Sequence, residues 1–166
     1  GKWLNPFDPS KTREAPFYSK PDNPVKAQMM TQKSRFRYLE LEDLQILEMP
    51  YLGNNLSMVA LLPRKMEGLS SLESKLGVEQ LEQWRHKLIP TNVTVYFPRF
   101  QITHSVDLGN RLVSMGMVDA FSDTKADFSG IAVIKPSEPL YISRVLHKAF
   151  IKVSEEGTEA AAATAV

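Results

Sequence analysis

Glu155-Glu156-Gly157-Thr158-Glu159-Ala160-Ala161-Ala162-Ala163-Thr164-Ala165-Val166 sets a run of small residues after one glycine and one threonine. Directly before it, Leu140 to Val153 alternates with period two, the signature of a strand. Tyr141, Ser143, Val145, His147, Ala149, Ile151 and Val153 share one face, and Ile142, Arg144, Leu146, Lys148, Phe150 and Lys152 the other. The pattern predicts the longest strand of the chain, buried on both faces. Gly157 then reads as a flexible joint, because glycine tolerates backbone angles that other residues avoid. Two conformations fit the segment after Gly157. Four alanines after Thr158 and Glu159 read as a helix start with Thr158 as the cap, although the segment is too short to be stable alone. Read as a strand, Thr158, Ala160, Ala162, Thr164 and Val166 share one face, and all are small enough to slide between existing strands. On the residues alone, a helix or a mobile tail is the plainer expectation.

Upstream of Leu140 the chain is mostly strand-like. Residues 1–24 carry Pro6, Pro9, Pro16, Pro21 and Pro24, which forbid a long helix and favour extended segments joined by turns. Val25 to Thr31, Phe36 to Leu41 and Leu44 to Pro50 read as strands, with Glu42-Asp43 as a turn. Gly53-Asn54-Asn55 is a hairpin signal before the apolar strand Leu56 to Leu62. Two short helices follow. Leu69, Leu72 and Leu76 share a face on the first, which Gly77 ends; Val78, Leu81, Trp84 and Leu88 share a face on the second. Thr94 to Phe100 returns to period two. Ser105 is the expected cap of a third helix, with Leu108, Leu112 and Met115 inward and Gly116 past its end. No internal repeat, linker or second domain is visible. The whole predicts an α+β fold, mostly antiparallel sheet with three short helices.

Composition narrows the function. The chain has 166 residues, 43% of them hydrophobic and 23% charged, which suits one globular unit with a real core. A net charge of +1 gives no footprint of a general nucleic-acid binder. The longest apolar run, Met58 to Leu62, is far too short to span a bilayer. With no cysteine there is neither disulfide nor thiol chemistry, and the redox compartment is not readable. The chain begins at Gly1 rather than Met, so the lack of a visible signal peptide carries no information. Two N-x-Ser/Thr sequons, at Asn55 and Asn92, are candidate glycosylation sites and point to secretion. Asn55 falls in a turn, where a glycan is tolerated; Asn92 opens a strand and suits one less well.

No active site emerges. His86, His104 and His147 are the only histidines, and none has metal-ligand spacing. No nucleophile elbow, phosphate-binding loop or dinucleotide fingerprint is present, so no metal, cofactor or catalytic residue is expected. His147 lies among small and apolar residues, which fits a core histidine satisfied by hydrogen bonds.

The twelve residues 155–166 closely resemble the hinge of the reactive-centre loop in inhibitory serpins. Gly1-Lys2-Trp3, Pro6-Phe7, Val25 to Met30, Leu47-Glu48-Met49-Pro50-Tyr51, Leu56 to Pro63, Phe97-Pro98-Arg99-Phe100, Ala126-Asp127-Phe128-Ser129-Gly130 and Ser143 to Ala149 resemble serpin landmarks in serpin order. Many ordered motifs are far more specific than any single one. The resemblance implies a partial serpin fold, with residues 1–166 an incomplete part of one serpin domain that ends inside the hinge. It implies an inhibitor rather than an enzyme. A serine protease attacks the loop and forms an acyl-enzyme, and the loop then enters the main sheet as a new strand and distorts the trapped enzyme. Gly157 is then the pivot, Thr158 enters first, and Ala160 to Ala163 bring almost no bulk. Ala160 and Ala162 follow Thr158 onto the buried face while Glu159 points to solvent. Trp3 matches the tryptophan at the top of the main sheet, Arg99 and Glu155 the ion pair at the head of that sheet, and His147 the histidine of the shutter beneath it. The implied partners are a target protease and the remaining segments of the same serpin, with no nucleic acid, membrane or cofactor. The implied setting is extracellular. The scissile bond lies beyond Val166, so the piece alone is expected to be neither inhibitory nor stably folded. A non-inhibitory serpin, a hormone carrier or chaperone, is the alternative; such members often carry bulky, charged or proline residues in the hinge, and Ala160 to Val166 has none.

Overall fold

The computed structural model describes residues 1–18, 23–133, 135 and 137–166. Pro21 lies outside them. The described residues form a mixed α+β fold of strands β1 (Arg13–Tyr18), β2 (Pro24–Glu40), β3 (Leu44–Pro50), β4 (Ser57–Pro63), β5 (Ile89–Asp107), β6 (Leu146–Val153) and β7 (Thr158–Ala165). Helices α1 (Leu69–Lys75), α2 (Val78–Lys87) and α3 (Gly109–Ser114) join them. The strand order is β4-β3-β2-β5-β6-β7, with β1 paired to β2. The chain divides into two compact units: residues 1–100 with 152–159, and residues 101–151 with 160–166.

In the first unit the sheet is antiparallel wherever its register is resolved. The two strands expected at 25–31 and 36–41 are one. Gln28 to Tyr38 pairs without a break against Arg99 to Ile89 of β5, and that ladder carries the polar middle of β2. Tyr51, Gly53 and Asn54 turn the chain from β3 into β4. Gly53 and Asn54 both take left-handed backbone angles, with φ of 93° and 56°, a region open chiefly to glycine and asparagine. One side of this sheet carries the core. Leu44, Ile46, Trp84 and Leu88 form a buried cluster, joined by Leu39, Leu41, Val59, Leu61, Leu72 and Leu81. Leu81, Trp84 and Leu88 therefore point inward as their spacing requires, but Val78 of the same expected face is exposed, and of the expected stripe on α1 only Leu72 reaches the cluster. Pro16 sits in β1, whose one partner among the described residues is β2, and on such an edge a missing amide is tolerated.

In the second unit several expectations are corrected. Residues 140–145 are not strand, and β6 begins only at Leu146. The Ile142 amide donates to the Ala120 carbonyl and the Val145 carbonyl accepts from the Leu108 amide, so these backbone groups are taken by loops rather than by a ladder. The longest strand is instead β5, with 19 residues. Nor is the stretch 140–153 buried on both faces: Val145 and Val153 are buried and His147, Ala149, Phe150 and Ile151 half-buried, while Leu146, Lys148 and Lys152 are exposed. The third helix begins at Gly109, not after Ser105, because β5 continues to Asp107. The Asp107 carboxylate accepts the Gly109 amide at 2.9 Å and the Arg144 guanidinium at 3.1 Å, and these bonds hold its carboxyl below the usual range. Met115 is exposed rather than inward.

Candidate functional site

The residues singled out around the hinge meet in the first unit. After Val153 the chain reverses within four residues. The Ser154 amide donates to the Gly157 carbonyl at 2.9 Å, and the Gly157 amide donates back to the Ser154 carbonyl at 3.3 Å. Gly1 to Trp3 lies against this turn. Lys2 and Gly157 form an antiparallel bridge, the Thr158 amide donates to the Gly1 carbonyl at 2.8 Å, and the Trp3 amide donates to the Glu156 carbonyl at 2.9 Å. On its other side the same short segment meets the end of β3: the Leu4 amide donates to the Pro50 carbonyl and the Leu52 amide to the Lys2 carbonyl. Residues 1–4 are thus held on both edges, as an inner strand is.

Glycine at 157 has a reason other than the one expected. Its φ is not left-handed. A Cβ there would run into the Gly1 carbonyl oxygen and stand 2.9 Å from Lys2 Cα. The position needs absence of bulk, not conformational freedom. Gly1 is equally constrained, because a Cβ on it would meet the Tyr51 ring at 2.8 Å.

Trp3 is buried and stacks on Tyr51, with ring centroids 4.7 Å apart and planes 9° from parallel. Its indole N–H donates to the Ser154 carbonyl at 2.9 Å. An aromatic with a polar edge suits this place, since it fills the space and satisfies a turn carbonyl.

Glu155 is the buried charge of the site, 8% exposed. Its carboxylate accepts from the Thr12 hydroxyl at 2.8 Å, and Arg99 Nη1 stands 3.6 Å away. Burial works against the ionised form. The Thr12 hydroxyl, the residue's own amide and the Arg99 charge outweigh it and hold the carboxyl below its ordinary range. Arg99 is half in solvent, so the hydroxyl is the closer and better-shielded partner.

Thr158 to Ala165 is strand, not helix, with β6 as its neighbour. Strand pairing here overrides the helical propensity of four alanines. The Thr158 hydroxyl is shielded from solvent and has no partner among the described residues. Glu159 is exposed as expected, but so are Ala160 and Ala162. Among the described residues β7 stands last in the strand order, and the expected buried face does not extend past Thr158 there.

In the second unit His147 Nδ1 lies 2.9 Å from Thr164 Oγ1, so this half-buried histidine finds its partner inside the hinge stretch. Asn55 is exposed in the β3–β4 turn; Asn92 is exposed within β5, opposite Arg35. Sequence reasoning missed Thr12, Tyr51 and Ser154. Tyr51 belongs to a motif that pointed here without revealing its role, and nothing around Thr12 marks it. No cluster of metal-ligating side chains occurs among the described residues.

The family model described as Serpin (serine protease inhibitor) matches residues 1–166. Human Serpin B3 is 44% identical over 170 residues, covering 100% of this chain and 43% of that protein. The horse leukocyte elastase inhibitor is 40% identical over 173 residues, covering 99% of this chain and 45% of that protein. A thyroxine-binding globulin solved with a thyroxine–fluorescein ligand superposes with a TM-score of 0.83 at 34% identity, over 98% of this chain and 48% of that one. The chain therefore spans under half the length of the curated relatives it matches, along a stretch from Trp3 to the hinge whose fold and sequence agree with theirs: it belongs to the serpin family.

Proposed function

We propose that the protein of which these residues form part inhibits serine proteases as a suicide substrate. Residues 1–166 are then one portion of a single serpin domain, completed by further segments of the same protein. The observation that carries this reading is β7: Thr158–Ala165 is strand beside β6, and its start is bonded to the backbone of Gly1. That is the arrangement an inserted loop requires. Once a protease has cut the loop and is held as an acyl-enzyme, insertion past Thr158 draws the enzyme along. Gly157 serves as pivot, Ala160, Ala161, Ala162 and Ala163 enter without bulk, and Thr164 is received by His147. The horse elastase inhibitor supports the protease class of the partner. No residue of this chain has a catalytic role in this mechanism.

The test uses the full-length protein and a panel of serine proteases, reading the yield of denaturant-stable covalent complex. Thr158→Arg would bury an unpaired charge at the first inserted position, which is expensive. Insertion slows while deacylation does not, so this variant is cut as a substrate and the yield falls at least tenfold. Glu159→Arg, one residue on and exposed, changes it little. If both variants trap as well as the wild type, the insertion mechanism is wrong.

A second reading, a hormone carrier, is favoured by the thyroxine-bound relative. It predicts no covalent complex with any protease of that panel, together with saturable binding of a small apolar hormone.

We also propose secretion, on the strength of the exposed sequon at Asn55. Protein made in a eukaryotic host is expected to carry a glycan at Asn55 and little at Asn92. Mass spectrometry showing both asparagines unmodified removes the support.

A further inference from the structure

The hairpin tip between β3 and β4 carries two leucines where polar residues are the rule. Leu52 is 68% exposed and Leu56 is 73% exposed. Neither belongs to a loose loop. The Asn54 amide donates to the Tyr51 carbonyl at 3.0 Å, the Tyr51 amide to the Leu56 carbonyl at 3.0 Å, and the Leu52 amide to the Lys2 carbonyl at 2.8 Å. Both leucines are therefore held out in water by backbone bonds made within the first unit. A Cβ on Gly53 would touch nothing within 4 Å, so there is open space over the tip.

Asn55, the exposed asparagine of the first sequon, sits on the same tip, next to Leu56 and three residues from Leu52. We propose that the first N-acetylglucosamine on Asn55 lies over Leu52 and Leu56 and thereby steadies the turn; this rests on the glycosylation of Asn55 proposed above. The sugar suits the place. Its ring has a face of C–H groups, its acetyl group ends in a methyl, and its hydroxyls stay in water. Apolar area removed from water is favourable in proportion to its size, and the two leucines supply a patch. Because the sugar is covalently tethered beside them, docking costs no translational freedom, and a small patch is enough. A second copy of the chain is the poorer occupant: a specific interface needs ~1,000 Å² or more, and this tip offers two side chains.

The effect reaches the hinge entry. The Leu52 amide holds the Lys2 carbonyl, and Lys2 bridges to Gly157 on its other edge. A steadier tip therefore keeps residues 1–4 in place against the turn after β6.

The experiment uses the full-length protein from a eukaryotic host that attaches high-mannose glycans. Three forms are compared: intact, trimmed by an endoglycosidase to the first N-acetylglucosamine, and Asn55→Gln. Hydrogen exchange of the Leu52 amide is read in each, because that amide reports its bond to Lys2. It is expected to exchange alike in the first two forms and about fivefold faster in Asn55→Gln, where the tip opens more readily. With Leu52→Ser/Leu56→Ser added, all three forms exchange alike. Leu56→Ser alone leaves a difference of about twofold and serves if the double variant does not fold. Equal exchange in all three forms of the parent overturns the cover and leaves glycosylation and secretion standing. An Asn55 found unmodified by mass spectrometry removes the glycosylation reading and the cover with it. The cover also fails if the trimmed protein behaves like Asn55→Gln, or if the difference persists with both leucines replaced. Exchange that slows with protein concentration overturns it too, and assigns the leucines to a second copy.

Discussion

A single hydroxyl decides how well Glu155 is held. Thr12 reaches it at 2.8 Å, from a part of the chain 143 residues away. Thr12→Val keeps the shape and removes the donor, leaving a buried carboxylate with only a half-solvated guanidinium beside it. The loss of a hydrogen bond to a charged group costs about 1.5–3 kcal/mol. The full-length variant is expected to lose that much unfolding free energy at neutral pH and so to unfold at lower denaturant, and equal midpoints would show the bond to be idle. The sign with pH follows from the lowered carboxyl pKa. Stability from this group is complete above the ordinary carboxylate range, where both folded and unfolded forms are ionised, and is lost as pH falls through the lower folded value. The gap between wild type and Thr12→Val therefore narrows in acid.

At the scale of elements, the turn between β6 and β7 is built for contact. Gly157→Ala leaves the backbone angles permissible but drives a methyl group into the Gly1 carbonyl. Wherever residues 155–158 lie against Gly1 to Trp3, the substitution is expected to destabilise by about 1–3 kcal/mol, as overfilled sites do. Thermal unfolding of the full-length protein reads it, and no change would mean that the two segments do not touch. This crowding was invisible in the sequence, where a glycine before a threonine signalled flexibility. Elements that depend on their own side chains were legible: the Gly53-Asn54 turn, the inward stripe of α2, and the alternation of Thr94 to Phe100. Elements that depend on distant partners were not. β2 reads as two strands because its middle is polar, and only pairing with β5 carries it through. Residues 140–145 alternate like a strand, yet their backbone groups are claimed by loops. Glu155, Arg99, Trp3 and His147 were found through ordered family motifs; their partners Thr12, Ser154 and Thr164 needed coordinates.

For the whole molecule, the same carboxylate bears on self-association. Glu155→Lys would set a second cation beside Arg99, replacing attraction by repulsion between β5 and the turn after β6. The full-length variant is expected to form polymers on mild heating at a rate well above wild type, since an opened sheet offers unpaired backbone to another copy. Size-exclusion profiles that match wild type after heating would count against the pair. One further consequence comes from the stacked pair at the same place. The chain has two tryptophans, and they occupy unlike surroundings. Trp84 sits in the cluster beneath α2, away from the hinge, whereas Trp3 is stacked on Tyr51 and tied through its N–H to Ser154. Separation of the hinge from residues 1–3 would wet one indole and leave the other dry, so within this stretch Trp3 is a fluorescent gauge of such a separation and Trp84 its unchanging counterpart.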